Sequence, residues 1–235
     1  MIEKSKGIVL NKIQHTDNKN IVKIYSESGT NAYVMFKGSK SKQNNALQPM
    51  TLINFCAEKR TSTQMAWLKE VEYDASLAGG YYQLPKAAVC MFLNDVLYKL
   101  LQNAGEDKEL FDFLYETLQQ FYNQPFVPDF HLRFLIHCSR ELGNCPMDNF
   151  QENYVFNVQS ACFEYAAKST IVQQEMAVCL HNLLHQDMFP SDKADIVPPH
   201  LRNVLLNCLL EFYNLHIIDL SKIQSLDILK TVLHD

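Results

Sequence analysis

The sequence predicts an α+β protein in which a five-stranded β-barrel precedes a mostly α-helical domain with a short β-hairpin insert. Up to about residue 75, short runs rich in Val, Ile, Tyr, Phe and Thr alternate with turn-forming residues, which is typical of strands. Beyond this point apolar residues recur every three or four positions, as they do in amphipathic helices. We therefore predict one domain at residues 1–75 and a second at residues 76–235.

The first domain contains five strand-like runs within about 70 residues. In the second run, Ile21, Lys23 and Tyr25 fall on one face of the predicted strand. Five short strands with one long connection suggest a small closed barrel, and the OB-fold is the commonest barrel of this size that binds oligonucleotides. The five runs are SKGIVLNKIQ, KNIVKIYSES, TNAYVMFKG, TLINFCAEKR and MAWLKEVEYD.

The second domain follows a joint-like AGG at residues 78–80 and is dominated by helical periodicity. Its first helix has Pro85 near its first turn, where proline is tolerated, and Gly105 at its expected end. Two β-like runs, NYVFNV and ACFEYA, interrupt the helices and predict the hairpin insert. The helical segments are LPKAAVCMFLNDVLYKLLQNAG, KELFDFLYETLQQFYN, DFHLRFLIHCSRELG, TIVQQEMAVCLHNLL, PPHLRNVLLNCLLEFYNLH and SLDILKTVL.

Charge is divided unevenly along the chain. Residues 1–70 hold eleven basic and five acidic residues, a net charge of +6, whereas residues 71–235 carry a net charge of −11. A cationic segment on an acidic body is seen in nucleic-acid-binding proteins, because lysines near phosphates release bound counterions. The connection at residues 36–49 is longer than a hairpin needs and contains three lysines and no acid. The candidate phosphate-binding residues are Lys12, Lys19, Lys23, Lys37, Lys40, Lys42 and Arg60.

Aromatic side chains on an open strand face could stack on unpaired bases. The candidates are Tyr25, Tyr33, Phe36 and Trp67. In the alternative interpretation the lysines only solvate a small barrel, and the aromatic residues are its core. The pattern does not decide between these alternatives, because a shift of one residue in strand register exchanges the two faces.

Missing sequence motifs and segments disfavour several classes of protein. The sequence has no GxxxxGK[ST], GxGxxG or GxSxG motif, so we expect neither a phosphate-binding loop nor a nucleophile elbow, and no enzyme activity. It has no apolar run of membrane-spanning length and no apolar segment typical of a signal peptide, so we expect a cytoplasmic protein. The cysteines are odd in number and form no CxxC pair, which predicts buried free thiols: Cys56, Cys90, Cys138, Cys145, Cys162, Cys179 and Cys208.

Two polar pairs on predicted helices carry possible chemistry. His181 and His185 have a spacing that can hold a metal from one helix face, but no third ligand is evident, so we expect ordinary histidines and no metal or cofactor. Arg133 and Arg140 lie two helical turns apart and could seat an acidic, apolar peptide tail. The alternative for these arginines is an internal salt bridge to an acid of the second domain.

At this point the chain resembles the RecO family of bacterial recombination mediators. FKGSKSKQNNALQPMTLINF matches the way this family joins two OB-fold strands, with a Lys-Gly pair, a basic connection and a Leu-Gln-Pro segment. The first hairpin, GIVLNKIQHTDNKNIVKIYSESG, and the helical segments LRFLIHCSRELGNCP, LRNVLLNCLLEFYNLH and SLDILKTVL also resemble the family, in the right order. Many members carry four zinc-binding cysteines after the Leu-Gly segment, whereas this chain has only Cys145 and Cys162 there.

The resemblance implies a nucleoid-associated protein that binds single- and double-stranded DNA and anneals complementary strands. It implies docking on the acidic C-terminal tail of single-stranded DNA-binding protein, and action with RecR to load RecA, without nucleotide hydrolysis. It makes Lys37, Lys40 and Lys42 DNA contacts and makes Arg133 the best candidate for the tail carboxylates, with Arg140 a candidate from helix geometry alone. The rival interpretation is an adaptor whose OB-fold binds a protein instead of nucleic acid. A second rival, a zinc- or His-dependent hydrolase, lacks evident ligands.

Overall fold

The computed structural model describes residues 2–36, 45–59, 65–74, 83–191 and 197–234. The chain divides into two compact units, Met1–Pro125 and Phe126–Asp235. The predicted domain boundary, after residue 75, lies outside the described residues and stays a prediction.

The first unit begins with a closed five-stranded barrel, which confirms the predicted architecture. The strands are β1 (Ile2–Thr16), β2 (Lys19–Ser26), β3 (Gly29–Phe36), β4 (Leu52–Glu58) and β5 (Ala66–Tyr73). Each strand overlaps one of the five runs that the alternating pattern predicts. Around the barrel the strand order is β1, β2, β3, β5, β4, and all neighbours are antiparallel except β3 and β5.

The barrel core is built from the side chains that point inward from each strand. In β2, Val22 and Ile24 are fully buried, whereas Lys19, Ile21 and Lys23 alternate with them and remain partly exposed. The inward-facing residues form one apolar cluster: Val9, Val22, Ile24, Tyr33, Met35, Ala46, Leu47, Ile53, Phe55, Ala57, Leu68 and Val71. Burial of this cluster is the main stabilising contribution to the barrel.

Two helices of the first unit, α1 (Leu84–Leu101) and α2 (Lys108–Asn123), pack on the barrel. The Tyr25 ring lies 5.8 Å from that of Phe111 in α2, and the Tyr122 hydroxyl donates to the Met50 carbonyl at 2.8 Å. Tyr25 shares a face of β2 with Lys23, as the pattern predicts. The structure shows that this face points out of the barrel and that Tyr25 is buried because α2 covers it.

The turn between β2 and β3 lies close to the end of α1. Thr30 donates its N–H to the Ala104 carbonyl at 2.9 Å. Gly29 has φ +85, and a Cβ at this position would lie 2.5 Å from the same carbonyl oxygen. The turn thus needs glycine both for its backbone conformation and for this close approach.

The second unit is helical and contains the predicted hairpin. The elements are α3 (Phe130–Glu141), β6 (Tyr154–Asn157), β7 (Cys162–Tyr165), α4 (Ile171–His185), α5 (Pro199–His216) and α6 (Leu226–His234). Thr170 caps α4: its hydroxyl accepts from the Gln173 N–H at 3.2 Å, and its own N–H donates to the Gln173 side chain at 2.9 Å, which completes a capping box. Tyr213 of α5 donates to the Leu135 carbonyl of α3 at 2.7 Å.

All seven cysteines lie within the described ranges and are free thiols. Burial raises the pKa of Cys138 and of Cys208 to about 12, so both stay protonated and pack as small apolar residues. None of the described helices is long and apolar enough to cross a membrane.

Candidate nucleic-acid interface

An exposed cluster of one lysine and two aromatic rings lies on the outer face of the barrel. The rings of Phe36 and Trp67 are 4.7 Å apart, and the Lys19 ammonium lies 5.2 Å from the Trp67 ring and 6.0 Å from the Phe36 ring. Strand register builds this cluster, because Lys19 pairs with Phe36 across β2 and β3, and Val34 pairs with Trp67 across β3 and β5. In such a cluster the cation can bind a phosphate while an exposed aromatic ring stacks on an unpaired base.

The Lys19–Phe36–Trp67 cluster is accessible to a ligand. Phe36 is 54% exposed, which is unusual for a phenylalanine, and Lys19 and Trp67 are partly exposed. Among the described residues, no carboxylate forms an ion pair with Lys19. By contrast, Lys69 lies 2.9 Å from Glu58 in the same barrel. The basic connection, which carries Lys37, Lys40 and Lys42, begins at the residue after Phe36.

The other two candidate aromatic residues are buried. Tyr33 points into the barrel core, where its ring lies 5.2 Å from that of Phe55, and burial raises its pKa to about 12, with a smaller contribution from Glu3. Tyr25 lies under α2. Of the four aromatic residues considered for base stacking, Tyr25 and Tyr33 are buried, whereas Phe36 is exposed and Trp67 is partly exposed.

The predicted cations are not all on one face. Lys12 pairs with Val22, whose side chain points inward, so Lys12 lies on the opposite side of the β1–β2 ribbon from Lys19 and Lys23. Lys23 lies 5.2 Å from the Tyr98 ring of α1, away from the Lys19–Phe36–Trp67 cluster along the strand. The remaining candidates, Lys37, Lys40, Lys42 and Arg60, lie outside the described residues.

In the second unit, three donors of α3 face the C-terminal end of α4. Arg133 donates to the Asp187 carbonyl at 2.8 Å, Arg140 donates to the Leu184 carbonyl at 2.7 Å, and His137 lies 3.0 Å from the Gln186 carbonyl. The last carbonyls of a helix have no partners within the helix, and cations near them interact favourably with the helix dipole. This row of donors therefore caps α4 from a neighbouring helix.

The two predicted tail-binding arginines differ in exposure. Arg133 is 1% exposed and forms an ion pair at 3.2 Å with Asp129, which is fully buried and also accepts from the Val197 N–H at 2.8 Å. The internal salt bridge considered as the alternative for this pair is therefore present at Arg133. Arg140 is exposed. A role of either residue in binding a tail stays a prediction.

His137 makes the stability of the second unit sensitive to pH. Burial lowers its pKa, helped by the positive charges of Arg140 and Arg133 and opposed by its bond to Gln186 and by Asp187. The unfolded chain, with an ordinary histidine pKa near 6.5, binds a proton before the folded chain does. We therefore expect the contribution of neutral His137 to the stability of the second unit to be lost as pH falls below about 6.5.

Urea unfolding between about pH 7.5 and 5.5 measures this effect, which should be smaller in His137→Gln. Glutamine keeps a donor for the Gln186 carbonyl and cannot titrate. The same pH slope in the variant and the wild type would assign the effect to other groups.

Comparison with known proteins places this geometry in context. Residues 1–76 match the family described as Recombination protein O N terminal, and residues 82–222 match Recombination protein O C terminal. The chain belongs to the RecO family. This confirms the resemblance drawn from the loop and helix motifs, and the protein is a DNA repair protein of that family.

Relatives of this RecO-family chain align over nearly its whole length. It is 28% identical over 244 residues to DNA repair protein RecO of Bacteroides fragilis, with 98% of each chain covered. It is 28% identical over 238 residues to RecO of Phocaeicola vulgatus, again with 98% of each chain covered. With RecO of Flavobacterium psychrophilum the identity is 26%, and the alignment covers 97% of this chain and 98% of the relative.

The four-cysteine zinc set of many RecO proteins does not fit this member. Between residues 144 and 165 it has only Cys145 and Cys162, and both are free. The β6–β7 hairpin occupies this part of the chain.

Sequence reasoning overlooked two acids of the second unit: Asp129, which pairs with Arg133, and Asp148, which lies beside His181 and His185. The first lies four residues before Arg133, a spacing that indicates a helical ion pair, whereas no local pattern marks the second.

Proposed function

We propose that this RecO-family chain is a recombination mediator that binds single- and double-stranded DNA through its barrel and anneals complementary strands. The Lys19–Phe36–Trp67 cluster supports this proposal most directly. In the same proposal the protein docks on the acidic tail of single-stranded DNA-binding protein and acts with RecR to load RecA. It works in the bacterial cytoplasm, at the nucleoid, and catalyses no chemical step.

The proposed annealing activity follows from electrostatics and stacking. Lysines on the barrel and on the 36–49 connection neutralise phosphates of two strands and lower the repulsion between them. Phe36 and Trp67 offer a surface on which unpaired bases stack without sequence preference. Strands held in this way can exchange partners without an energy source, and the acidic second domain disfavours DNA elsewhere.

The proposed tail site lies beside the capped end of α4. A cleft of about 490 Å³ between α4 and α5 has a mostly apolar lining that includes Val178, Leu183 and Leu201, with Glu175 and His200 among its polar residues. Gln186, whose carbonyl faces His137, also lines this cleft. We propose that apolar residues of the tail enter the cleft and that its carboxylates bind the exposed guanidinium of Arg140, while Arg133 holds the end of α4 in place.

The DNA-binding proposal is tested by fluorescence anisotropy of a labelled single-stranded oligonucleotide at several salt concentrations. We expect affinity to fall steeply with salt, and the double variant Lys37→Glu with Lys40→Glu to reduce the slope by roughly 1.4, since each phosphate contact on a single strand contributes about 0.7. A matched control is Lys168→Glu with Lys222→Glu, two exposed lysines of the second unit with the same change in net charge. It should leave the slope unchanged.

The alternative function is an adaptor whose barrel binds a protein. The same titration separates the two functions, because an adaptor would show no DNA binding even at low salt. A reduced slope in both double variants would mean that only net charge matters, and would remove the 36–49 connection from the proposed interface.

A further inference from the structure

Three side chains of types that can ligate a metal converge in the second unit, far from the barrel in sequence. The Asp148 carboxylate lies between two imidazoles of α4, with one oxygen 2.8 Å from His181 Nδ1 and the other 2.7 Å from His185 Nε2. The three donor atoms all lie within 4.8 Å of one another. The helix supplies the histidines at i, i+4, and the loop before β6 supplies the third ligand that the helical pattern alone does not contain.

The residues next to Asp148 hold this arrangement in place. The Asn149 side chain donates to the Phe163 carbonyl at 3.0 Å and accepts from the Phe163 N–H at 2.8 Å, so it binds the loop to β7. Phe150 stacks on His181, with ring centroids 4.8 Å apart and planes at 22°. In metal sites, contacts from neighbouring residues of this kind fix the orientation of the side chains that bind the ion.

The donor set selects a class of ion. Two imidazole nitrogens and one carboxylate oxygen suit Zn²⁺ and related transition metals, whereas Mg²⁺ and Ca²⁺ prefer oxygen ligands alone. Without a metal, the N–H of each ring nitrogen that faces the carboxylate donates a hydrogen bond to it. A metal about 2.0–2.2 Å from each donor would replace these protons and lengthen the two nitrogen–oxygen distances, now 2.8 and 2.7 Å, by less than about 1 Å. The side chains are 31–58% exposed, which leaves room for that movement and for a water ligand.

We propose that Asp148, His181 and His185 bind one Zn²⁺-class ion, which fastens the loop before the β6–β7 hairpin to α4. The ligands are one carboxylate and two imidazoles, so this site is chemically distinct from a four-cysteine zinc site. Its effect is a cross-link between α4 and a loop residue, Asp148, that precedes His181 by 33 residues in the chain. The inference does not depend on the proposed DNA-binding function.

The test is calorimetric titration of the chelator-treated full chain with Zn²⁺, together with thermal unfolding in its presence. We expect about one ion per chain, a raised unfolding temperature, and at least a tenfold loss of affinity in His185→Gln. His185 is exposed, so this variant should fold. The matched control is His200→Gln, which removes an exposed histidine that lies 3.2 Å from Glu175 and should keep full affinity.

A second probe excludes the free thiols as the source of binding. Titration with Co²⁺ should give visible ligand-field bands without the intense near-ultraviolet absorption of a cobalt–thiolate bond. Thiolate absorption, or equal Zn²⁺ affinity in the wild type and His185→Gln, would overturn the proposal. So would binding that is lost equally in His185→Gln and His200→Gln.

Discussion

Replacing Phe36 and Trp67 together by alanine should weaken binding of single-stranded DNA by about 5- to 150-fold for each base that loses its stacking partner. The estimate follows from the roughly 1–3 kcal/mol that stacking on an aromatic ring contributes per base. The salt dependence of binding should stay close to that of the wild type, because the variant removes no positive charge. Anisotropy titrations with single-stranded and fully duplex oligonucleotides measure both effects, and the loss should be much smaller for the duplex.

The barrel provides a control for this pair. Tyr73 lies at the opposite end of β5 from Trp67 and is 46% exposed. Tyr73→Ala removes one exposed aromatic ring outside the cluster and should leave DNA affinity nearly unchanged. If Tyr73→Ala weakened binding as much as the double variant, or if the double variant bound normally, the Lys19–Phe36–Trp67 cluster would not be the stacking surface.

Arg133→Ala should destabilise the second unit by about 3–5 kcal/mol. Removal of the guanidinium leaves Asp129 fully buried without its charged partner, which is one of the more costly single changes in a protein interior. It also leaves the Asp187 carbonyl without the donor that caps α4. Urea unfolding at neutral pH measures the loss.

Two further variants show whether the ion pair is the cause. Arg133→Met combined with Asp129→Asn should recover a substantial part of the lost stability, because neither member then leaves a buried charge. Arg140→Ala should cost about 1 kcal/mol or less, because its guanidinium is exposed. If Arg133→Ala were as stable as Arg140→Ala, the buried ion pair would contribute little. Because Arg133 supports the fold, weakened tail binding in Arg133→Ala counts as evidence for a binding role only if this variant is still folded.

The secondary structure could be predicted from sequence because it depends on local patterns. Alternation within NIVKIYSES defined β2 and separated the inward Val22 and Ile24 from the outward Lys23. In the same way, the helical period of KELFDFLYETLQQFYN gave the bounds of α2. These signals rest on residues two to four positions apart, which a single sequence contains.

The surroundings of individual side chains could not be predicted, because distant segments determine them. The pattern predicted that Tyr25 shares a face with Lys23, but not that Tyr25 is buried, since α2 covers it from more than 80 residues away. Asp148 meets His181 across 33 residues, with no periodicity to connect them. Arg133 is the intermediate case. Its partner Asp129 is four residues earlier, yet only the fold shows that the pair is buried.

The parallel pairing of β3 with β5 has a consequence for the breathing motions of the barrel. Within the described residues, two residue pairs join these strands, whereas eight pairs join β2 to β3. The shortest seam of a barrel has the fewest hydrogen bonds to break, so local opening should begin there, well below the free energy of global unfolding. Such opening carries Trp67 away from Phe36. The proposed base-stacking surface of Phe36 and Trp67 can therefore open and re-form while the rest of the barrel stays folded, which would give a bound DNA strand a route of release.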